Sequence, residues 1–438
     1  GRAEVGVVTR DEKHDHTNKQ GGDHPPPHYH TRDVAEMMMR SASGVLMLGS
    51  ATPAVETLYR CERGEIVRLE LASRILGHRL RIQAQAERAG IEPRYQPAEA
   101  AEAWAIDLPA VQVVDMRSEL KAGNTSIFSR PLQDALGHVL AQREQALLLM
   151  NRRGQASYVF CRDCGYVATC PRCDAPLTYH RTDLALRCHR CNHSEPQPDQ
   201  CPQCRSKRIR YFGAGTQQVE EAVKAQFPDA RVIRWDADSA AAPGAHEAIL
   251  QHFIDRYADI VVGTQMIAKG LDLPLVTLVG IISADVSLNL PDFRAAERTF
   301  QLLTQAAGRA GRGLLGGRVI LQTYQPDHYA IQTAARHDSL AFYAREIAYR
   351  RELGYPPFRR LVRLIFRFPQ ETRAKAEAEK AAALFRERIK KLNLSGTELI
   401  GPAPCFFTRV NDAYRWHLLL RGPNPIQALT GLDLPPEW

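Results

Sequence analysis

The sequence predicts an α/β protein in which a parallel sheet with helices on both faces carries an inserted cysteine-rich module and is followed by an α+β domain. Short apolar segments alternate with segments of helical spacing, an order that favours a parallel sheet. Eight of the ten cysteines lie between residues 161 and 204, inside that alternation. A Gly-Tyr-Pro-Pro break at residues 354–357 precedes a last strand and helix, which predicts a further domain.

The individual elements follow from hydrophobic periodicity in chain order. In the first 75 residues, strands at 5–8 and 45–48 flank a helix at 32–40, and residues 76–110 carry little periodic signal. The later strands are predicted at 146–150, 231–235, 260–262, 276–282, 319–323 and 360–366. The later helices are predicted at 217–227, 246–257, 294–307, 341–353 and 373–391. The cysteine-rich module therefore interrupts the sheet after the strand at 146–150.

Four CxxC pairs make up the cysteine-rich module: Cys161/Cys164, Cys170/Cys173, Cys188/Cys191 and Cys201/Cys204. Each pair places two thiolates on a tight turn, and two pairs complete a tetrahedral zinc site. The segment 174–187 has the length of a zinc-ribbon hairpin, so we expect the two middle pairs to form one site and the two flanking pairs another. The sequence thus predicts two structural Zn²⁺ ions, one bound by an outer set (Cys161, Cys164, Cys201 and Cys204, zinc 1) and one by an inner set (Cys170, Cys173, Cys188 and Cys191, zinc 2).

Disulfide bonds are the alternative use of these cysteines. We favour zinc because no apolar signal segment is seen and only Cys61 and Cys405 lie outside the module. A catalytic zinc site would mix histidine or carboxylate ligands with thiolates and keep one position open. Since eight thiolates are present, we expect the nearby His180, His189 and His193 to lie at the surface.

Composition and charge narrow the class of protein. With 44% hydrophobic and 24% charged residues the chain has the composition of an ordinary folded domain protein, and no apolar stretch reaches the roughly 20 residues that span a bilayer. We therefore expect a cytoplasmic protein without membrane association. The net charge of +8 permits a polyanionic partner. Residues 152–210 contain eleven Lys or Arg and five Asp or Glu, but two four-thiolate zinc centres would cancel most of this excess.

Two loop motifs have a mechanistic interpretation. Asp11 and Glu12 follow an apolar strand, where such a pair suits Mg²⁺ binding and water polarisation in a nucleotide hydrolase. Arg309 and Arg312 lie three residues apart at the end of a predicted helix, where both can reach a phosphate. An ordinary turn, and a glycine-rich helix end with solvated arginines, are the structural alternatives for each motif taken alone.

Together, these motifs resemble the PriA family of primosomal replication-restart helicases, within the superfamily 2 DNA helicases, over essentially the whole chain. The matching segments are DEKHDHTNKQ (11–20), YHTRD (29–33), LGSATPAVETL (48–58), MNRRG (150–154), GAGTQQVE (213–220), VGTQMIAKGLDLPLVTLV (262–279), PDFRAAER (291–298), TQAAGRAGRG (304–313) and the eight cysteines. The cysteine array is the most specific, since zinc pairs inserted between the halves of a helicase core are peculiar to this family.

The resemblance implies residue roles. Asp11, Glu12, Arg309 and Arg312 would be the catalytic residues, as the Walker B pair and the arginines of motif VI. The residues expected to contact nucleotide or DNA are Thr264, Gln265, Lys269, Gly270 and Asp272 of motif V and Gln305 of motif VI. The implied partners are forked and single-stranded DNA, single-stranded DNA-binding protein and other primosome proteins. We further expect a monomer associated with the nucleoid.

The resemblance also implies a domain division. Residues 1–75 would be a remnant of helicase lobe 1 with motifs II and III, and residues 76–157 a linker and the start of a RecA-like lobe 2. The zinc module would occupy 158–210, the rest of lobe 2 residues 211–330, and a C-terminal domain residues 331–438. We expect a fragment that starts inside the first motor lobe, because Gly1 stands where a start methionine would and no GxxxxGK(S/T) phosphate loop occurs in the sequence.

Several positions depart from the family pattern. Arg10 places a cation beside the expected Mg²⁺ carboxylate, and Asn18 stands where the family usually has tyrosine. A His-Pro-Pro-Pro-His segment at 24–28 replaces a usually aromatic stretch, so that only Tyr29 retains a ring there. Ser283-Ala284-Asp285 replaces the family's Asp-x-Asp.

Two functional hypotheses from different classes follow. In the first, the chain is a restart scaffold, a pseudohelicase, which binds DNA and primosome partners and reloads the replicative helicase without helicase activity of its own. In the second, it belongs to an ATP-dependent 3′-to-5′ DNA helicase that uses ATP and Mg²⁺ and whose Walker A region lies upstream. A general zinc-ribbon nucleic-acid module is a third interpretation. The basic and aromatic cluster Tyr414-Arg415-Trp416 is a further expected DNA contact.

Overall fold

The computed structural model describes residues 6–10, 31–71, 75–78, 84, 87, 103–105, 108–150, 157–173, 175–180, 184–211, 215–236, 239, 240, 242, 244–264, 273, 275–310 and 315–432. The chain separates into two compact units, Gly1–Leu69 and Glu70–Trp438. In the first unit, strands β1 (Gly6–Arg10) and β2 (Val45–Gly49) pair in parallel, and helices α1 (Thr31–Ser41) and α2 (Val55–Glu62) are joined by the Arg60–Glu36 ion pair at 2.7 Å.

The second unit contains the remaining elements. Its strands are β3 (Ile75–His78), β4 (Ala103–Ala105), β5 (Ala110–Asp115), β6 (Gln145–Met150), β7 (Ser157–Cys161), β8 (Thr178–His180), β9 (Ala185–Arg187), β10 (Ser194–Pro196), β11 (Ile209–Tyr211), β12 (Val232–Trp235), β13 (Ile260–Gly263), β14 (Val276–Ser283), β15 (Arg318–Thr323), β16 (Arg360–Phe368), β17 (Glu398–Val410) and β18 (Ala413–Gly422). Its helices are α3 (Met116–Lys121), α4 (Arg130–Ala141), α5 (Thr216–Gln226), α6 (Ala245–Ile254), α7 (Asp285–Leu288), α8 (Ala295–Ala310), α9 (Tyr329–Ala335), α10 (Ser339–Glu352), α11 (Glu371–Lys391) and a 3₁₀ turn at Pro425–Ala428.

A six-stranded parallel sheet forms the centre of the second unit, in the order β12-β13-β6-β14-β15-β5. Strands β6, β13 and β14 are buried along their whole length, which explains why they read as continuous apolar runs rather than alternating ones. Chain order reverses on the two sides of β6, since β13 and β14 are its neighbours. The carboxyl ends of these strands are therefore the expected ligand-binding edge.

Helix α4 shows how the sequence specifies a core-facing helix. Ser129 caps it by accepting a hydrogen bond from the backbone N–H of Leu132, and Pro131 occupies the first turn. Its buried residues are Leu132, Ala135, Leu136 and Val139, a spacing that forms one helical stripe. This stripe packs with α5 on one side of the sheet, whereas α8 contacts β14 and β15. The predicted α/β class is confirmed.

The cysteine-rich module is a five-stranded antiparallel sheet, in the order β10-β9-β8-β7-β11, inserted between β6 and β12. Its small core consists of the buried Val159, Ala168, Leu177, Leu186 and Ile209 together with four of the cysteines. A core of this size is small for an independent fold, so metal sites are the expected additional source of stability.

The C-terminal domain consists of the antiparallel sheet β16-β18-β17 covered on one face by α11. Alanines at 374, 378, 381 and 382 let the helix approach the sheet closely, and Phe366, Phe385 and Trp416 fill the core. Trp416 is 3% exposed, so the prediction that it contributes to an aromatic DNA-binding cluster is wrong. The alternation of β18 places Trp416 on the helix-facing side and its neighbour Arg415 on the other.

Several elements are additional to those that periodicity predicted. Strand β5 pairs with β15 at the edge of the parallel sheet, although residues up to 110 carried little signal. Helices α3, α4 and α9 and strands β17 and β18 were not predicted either. Within the described residues, no helix is both long enough and apolar enough to cross a membrane.

Candidate metal centres and the carboxyl edge of the sheet

The four CxxC turns share one backbone hydrogen-bond pattern. In each turn the N–H of the first cysteine donates to the carbonyl five residues later, with N···O distances of 2.8, 2.8, 2.8 and 2.9 Å for Cys161, Cys170, Cys188 and Cys201. The fourth residue after the first cysteine has a left-handed backbone in three turns, at Gly165, Asn192 and Arg205. The spacing thus folds each pair into a knuckle that directs two sulphur atoms to the same side.

The structure brings the eight sulphur atoms together in the two predicted sets. Within each set the sulphur atoms all lie within 4.8 Å of one another. The Cys161–Cys204 and Cys164–Cys201 sulphur distances are 3.6 Å, and the Cys170–Cys191 distance is 3.7 Å. A tetrahedral zinc with bonds of about 2.3 Å separates its ligand sulphur atoms by about 3.8 Å, whereas a disulfide separates them by about 2 Å. The geometry therefore fits a four-thiolate metal site in both sets.

The thiols in each set differ in their tendency to ionise. The thiol of Cys173 donates a hydrogen bond that lowers the pKa of Cys188 to about 5, and the same bond raises the pKa of Cys173. In the outer set, burial raises the pKa of Cys164 to about 12, whereas a hydrogen bond from the backbone N–H of Ser206 lowers the pKa of Cys204. Each set thus contains a cysteine whose surroundings favour the thiolate, the form that binds metal.

The outer set lies between the carboxyl edge of the parallel sheet and solvent. Arg117, held by Asp115 at the end of β5, donates to the carbonyl of Cys164 at 3.3 Å. Gly165 is packed so closely on Tyr324 that a Cβ would lie 2.4 Å from its carbonyl oxygen. On the far side of the set, Cys204 is exposed.

A carboxylate joins the two knuckles of the outer set. Asp163 accepts hydrogen bonds from the Ser206 hydroxyl at 2.5 Å and from Arg208 Nε at 3.1 Å. Because Asp163 belongs to the first knuckle and Ser206 follows the fourth, this contact holds the two halves of the set together.

The inner set lies against the C-terminal domain. The Nδ1 atom of His189 lies 3.0 Å from the carbonyl of Pro404 on β17, and the Nε2 atom of His417 on β18 lies 2.7 Å from the carbonyl of His189. His189 is 2% exposed, so the prediction that His189 lies at the surface is wrong. Its Nε2 atom lies 3.1 Å from the Nε2 atom of His180. Burial, with a hydrogen bond opposing it, lowers the pKa of His189 to about 4, so the ring is neutral at pH 7.

Only part of the expected nucleotide and DNA site falls within the described residues. Thr264 directly follows β13, at the carboxyl edge of the sheet, and is half-buried. Gln305 and Arg309 lie in the last two turns of α8, where Arg309 is 7% exposed. The other predicted site residues, Asp11, Glu12, Gln265, Lys269, Gly270, Asp272 and Arg312, lie outside the described residues, as do Asn18 and Tyr29. Their roles stay predictions.

Asp285 is a buried carboxylate at the carboxyl edge of the parallel sheet. From the sequence it was considered only as part of a departure from the family's Asp-x-Asp motif. It follows β14, is 1% exposed, and accepts hydrogen bonds from Thr323 Oγ1 at 2.7 Å and from the backbone N–H of Tyr324. Burial raises its pKa to about 6, opposed by these bonds. The ring of Tyr324 lies 4.8 Å from that of Phe160 on β7. Asp285 therefore fixes the end of β15 on which the cysteine-rich module rests, and its position after an eight-residue apolar strand was the available signal.

Family models match three segments of the chain. Residues 170–196 match the PriA DNA helicase Cys-rich region (CRR) domain, residues 203–313 the helicase conserved C-terminal domain, and residues 351–432 the primosomal protein N C-terminal domain. These segments contain the inner cysteine set, strands β12 to β14 of the parallel sheet, and the C-terminal sheet together with α11.

Curated relatives match almost the whole chain. It is 43% identical to replication restart protein PriA of Bacillus subtilis over 95% of the chain and 48% of that protein. It is 42% identical to the protein of the same name from Synechocystis over 98% of the chain and 48% of the relative, and 39% identical to that of Treponema pallidum over 96% and 58%. The chain therefore spans about half the length of the curated relatives that it matches. Because the similarity extends through the parallel sheet, the cysteine-rich module and the last domain, the chain belongs to the PriA family of replication restart proteins.

Proposed function

We propose that this chain acts in replication restart by binding forked or single-stranded DNA and primosome proteins, so that the replicative helicase can be reloaded. The observation that carries the proposal is the identity of 42–43% to PriA proteins over at least 95% of the chain. The proposed partners include single-stranded DNA-binding protein. In this proposal the protein works as a monomer in the cytoplasm, at the nucleoid.

In this proposal residues 76–157 are a linker and the start of the second motor lobe, residues 211–330 are the rest of that lobe, and residues 331–438 are the C-terminal domain. Each four-cysteine set binds one structural zinc ion, which supplies folding free energy to the small module. The sulphur separations of 3.6–3.7 Å support this assignment. The zinc ions would hold the knuckles in place, and the side chains between and after the cysteines would make the contacts with DNA and with the other domains.

The C-terminal sheet offers a surface suited to a phosphate backbone. Arg367 on β16 and Arg415 on β18 lie directly opposite each other, on the face away from α11. Like charges in this arrangement repel, and a bound phosphate would relieve the repulsion. Phe407 on β17 is 39% exposed and could stack with a base. In the cysteine-rich module, Arg205, Lys207 and Arg208 follow the exposed Cys204 and add a second basic patch.

ATP hydrolysis is the activity on which the two hypotheses differ. For the 438 residues by themselves we propose no hydrolysis, because no GxxxxGK(S/T) loop is present to hold the phosphates. The buried position of Arg309 at the end of α8 supports the alternative, an ATP-dependent 3′-to-5′ helicase, since a low-dielectric position suits an arginine that stabilises phosphoryl transfer. In that case Asp11 and Glu12 would hold Mg²⁺, and Arg309 and Arg312 would face the γ-phosphate.

An ATPase assay with forked DNA separates the two hypotheses. The 438-residue chain is expected to give only background turnover. The same assay on the longest natural form of the protein decides whether the parent is a helicase. Turnover by the chain that disappears in Arg309→Ala would contradict the scaffold hypothesis, because it would assign motif VI a catalytic role here.

DNA binding itself is tested by its salt dependence. Affinity for single-stranded and forked DNA is expected to fall steeply between roughly 50 and 200 mM salt, because phosphate contacts release counterions. Charge reversal at Arg205, Lys207 and Arg208 should reduce the logarithmic salt slope by about 2 on single strands. A matched triple reversal at the exposed Lys380, Lys390 and Lys391 of α11 is the control and should leave the slope unchanged. An unaltered slope in the first variant would assign the module to protein partners instead of DNA.

A further inference from the structure

One aromatic side chain, Tyr355, lies where the inner cysteine set, the start of α8 and the C-terminal sheet meet. Its ring stacks on that of Phe293 with centroids 5.2 Å apart and an interplanar angle of 15°. The guanidinium groups of Arg190 and Arg421 lie 5.4 and 5.3 Å from the ring centroid. Tyr355 is 7% exposed. Three parts of the molecule that are distant in sequence therefore contact a single ring.

The inner knuckle determines where Arg190 points. Arg190 lies between Cys188 and Cys191, and its backbone N–H donates to the sulphur of Cys188 at 3.4 Å. Its guanidinium Nη1 donates to the carbonyl of Cys173 at 3.4 Å and to the hydroxyl of Tyr355. Since both CxxC pairs of the inner set position this side chain, its geometry depends on that set being closed.

On the other side of Tyr355, a buried ion-pair network leads to α8. Arg350, on α10, lies 5.2 Å from the ring centroid of Phe293. It forms ion pairs with Glu297 of α8 at 2.9 Å and with Glu346 at 2.7 Å, and the three side chains are at most 1% exposed. Glu297 is in the first turn of α8, the helix whose last turns carry Gln305 and Arg309.

The second residue between the inner cysteines also contacts the C-terminal domain. His189 contacts Pro404 and His417, as described above. Both residues of this knuckle are therefore buried against other elements, His189 against β17 and β18 and Arg190 against Tyr355. In the outer set, the corresponding Gln203 is exposed.

We propose that the inner cysteine set holds the C-terminal domain against the N-terminal end of α8, with Tyr355 as the positioning residue between them. Metal binding closes the inner knuckle and orients Arg190, which holds the Tyr355 and Phe293 rings against the Arg350–Glu297 pair. The inference rests on the proposed zinc occupancy of the inner set. It assigns the outer set no part in holding α8.

Hydrogen exchange of the zinc-loaded protein tests this proposal, with zinc content measured on the same samples. In Tyr355→Ala, amide exchange in residues 295–302 and 413–422 should accelerate roughly tenfold or more, since a ring stack and two cation–π contacts are lost. Tyr355→Phe keeps the ring and loses only the hydroxyl, so its acceleration should be smaller. Tyr257→Ala, at a tyrosine that is 60% exposed, is the control and should leave exchange in both segments unchanged.

Cysteine variants test whether the metal acts through this junction. Cys191→Ser should lose one zinc and accelerate exchange in residues 295–302 as Tyr355→Ala does. Cys204→Ser should also lose one zinc but leave those residues protected. Equal acceleration in the two cysteine variants, or full protection of residues 295–302 in Tyr355→Ala, would overturn the proposal.

The zinc measurement distinguishes a failure of the proposed zinc binding from a failure of the proposed junction at Tyr355. If the unaltered protein holds no zinc in the inner set, the proposed zinc function fails, while the Tyr355 variants still decide whether the junction exists. If Tyr355→Ala does not fold, the comparison moves to Tyr355→Phe and Arg190→Gln. Unaltered exchange in both of these would overturn the proposal.

Discussion

The two four-cysteine sets have the same ligands and the same knuckle geometry but different surroundings. In the outer set, Cys204 is exposed and the fourth knuckle borders solvent. In the inner set, the residues between Cys188 and Cys191 are 2% and 9% exposed and lie against other elements. Cysteine spacing therefore specifies a metal knuckle, while the two residues inside the knuckle determine whether it lies at the surface or contacts another domain.

The difference also concerns how each set is attached. The outer set rests on the parallel sheet through Arg117 and through the close approach of Gly165 to Tyr324. The inner set is attached through buried hydrogen bonds of His189 and Arg190, whose loss would leave polar groups unsatisfied in the interior. Damage to the inner set should therefore spread into neighbouring domains, whereas damage to the outer set should stay local.

The largest expected effect comes from removing one buried ligand of each set. Cys188→Ser and Cys201→Ser should each lose one of two zinc ions, because an open three-thiolate site binds metal weakly. Cys188→Ser should cost several kcal/mol of unfolding free energy and also lower the melting temperature of the C-terminal domain. Cys201→Ser should destabilise the module alone. Zinc analysis measures the metal content and calorimetry the melting of each variant. Equal melting profiles for Cys188→Ser and Cys201→Ser would show that the two sets do not differ in their effect on the C-terminal domain.

The two sets should also differ in how fast they release zinc. With a strong chelator the two zinc ions should leave in two phases, the first from the outer set because Cys204 is accessible to solvent. The slow phase should be lost in Cys188→Ser and the fast phase in Cys204→Ser. Release is followed with a zinc-sensitive dye, and a single phase for both ions in the unaltered protein would contradict the expected order.

Acid should weaken the attachment of the inner set through His417. Burial, followed by the charge of Arg363, lowers the pKa of His417 to about 3. As the pH falls below the unfolded pKa of about 6.5, the unfolded chain gains a proton that the folded chain excludes, so stability is lost progressively towards pH 3. For this one residue the loss of unfolding free energy between pH 6.5 and 5 is about 1.6 kcal/mol.

The variant His417→Gln measures the contribution of this residue. It keeps an N–H donor for the carbonyl of His189 and should be less sensitive to pH over this range, with zinc content checked at each pH. His252→Gln, at an exposed histidine, is the control and should show the pH dependence of the unaltered protein. Equal pH dependence of denaturant unfolding in both variants would exclude His417 as the source.

The smallest effect is expected at the carboxylate that joins the outer knuckles. Asp163→Asn keeps an acceptor for Ser206 but weakens the contact with Arg208, a partly exposed pair of the kind worth less than about 1 kcal/mol. The fast phase of zinc release should accelerate by a few-fold, and the slow phase should not change. An altered slow phase would show that the two sets are coupled.

Much of the fold was predictable because its signals are local. The strands at 146–150, 260–262 and 276–282 were predicted within one residue at each end, since buried parallel strands appear as continuous apolar runs. Strand β5 was missed because it lies at the sheet edge and shows alternating burial after a segment without periodicity. Strands β17 and β18 were missed because prolines and arginines interrupt their apolar pattern.

The candidate site divides in the same way. The cysteine grouping could be predicted because CxxC spacing and the hairpin length are properties of short segments. The burial of His189 could not, because it depends on β17, which begins more than two hundred residues later in the chain. Asp285 was interpreted only as a departure from a family motif, and its hydrogen bonds to Thr323 and Tyr324 arise from the parallel neighbour β15.

The four knuckles, the alternation of strands and helices, and the resemblance to a restart helicase can all be deduced from the sequence alone, because each of these resides in residue spacing or in short motifs. By contrast, the positions of Arg190 over the ring of Tyr355 and of Arg350 between Glu297 and Glu346 depend on tertiary packing. The sequence does not distinguish a buried arginine from a solvated one. Its role depends on which carboxylates and rings the packing of distant helices and strands places around it, since a buried charge is tolerated only when such partners are in reach.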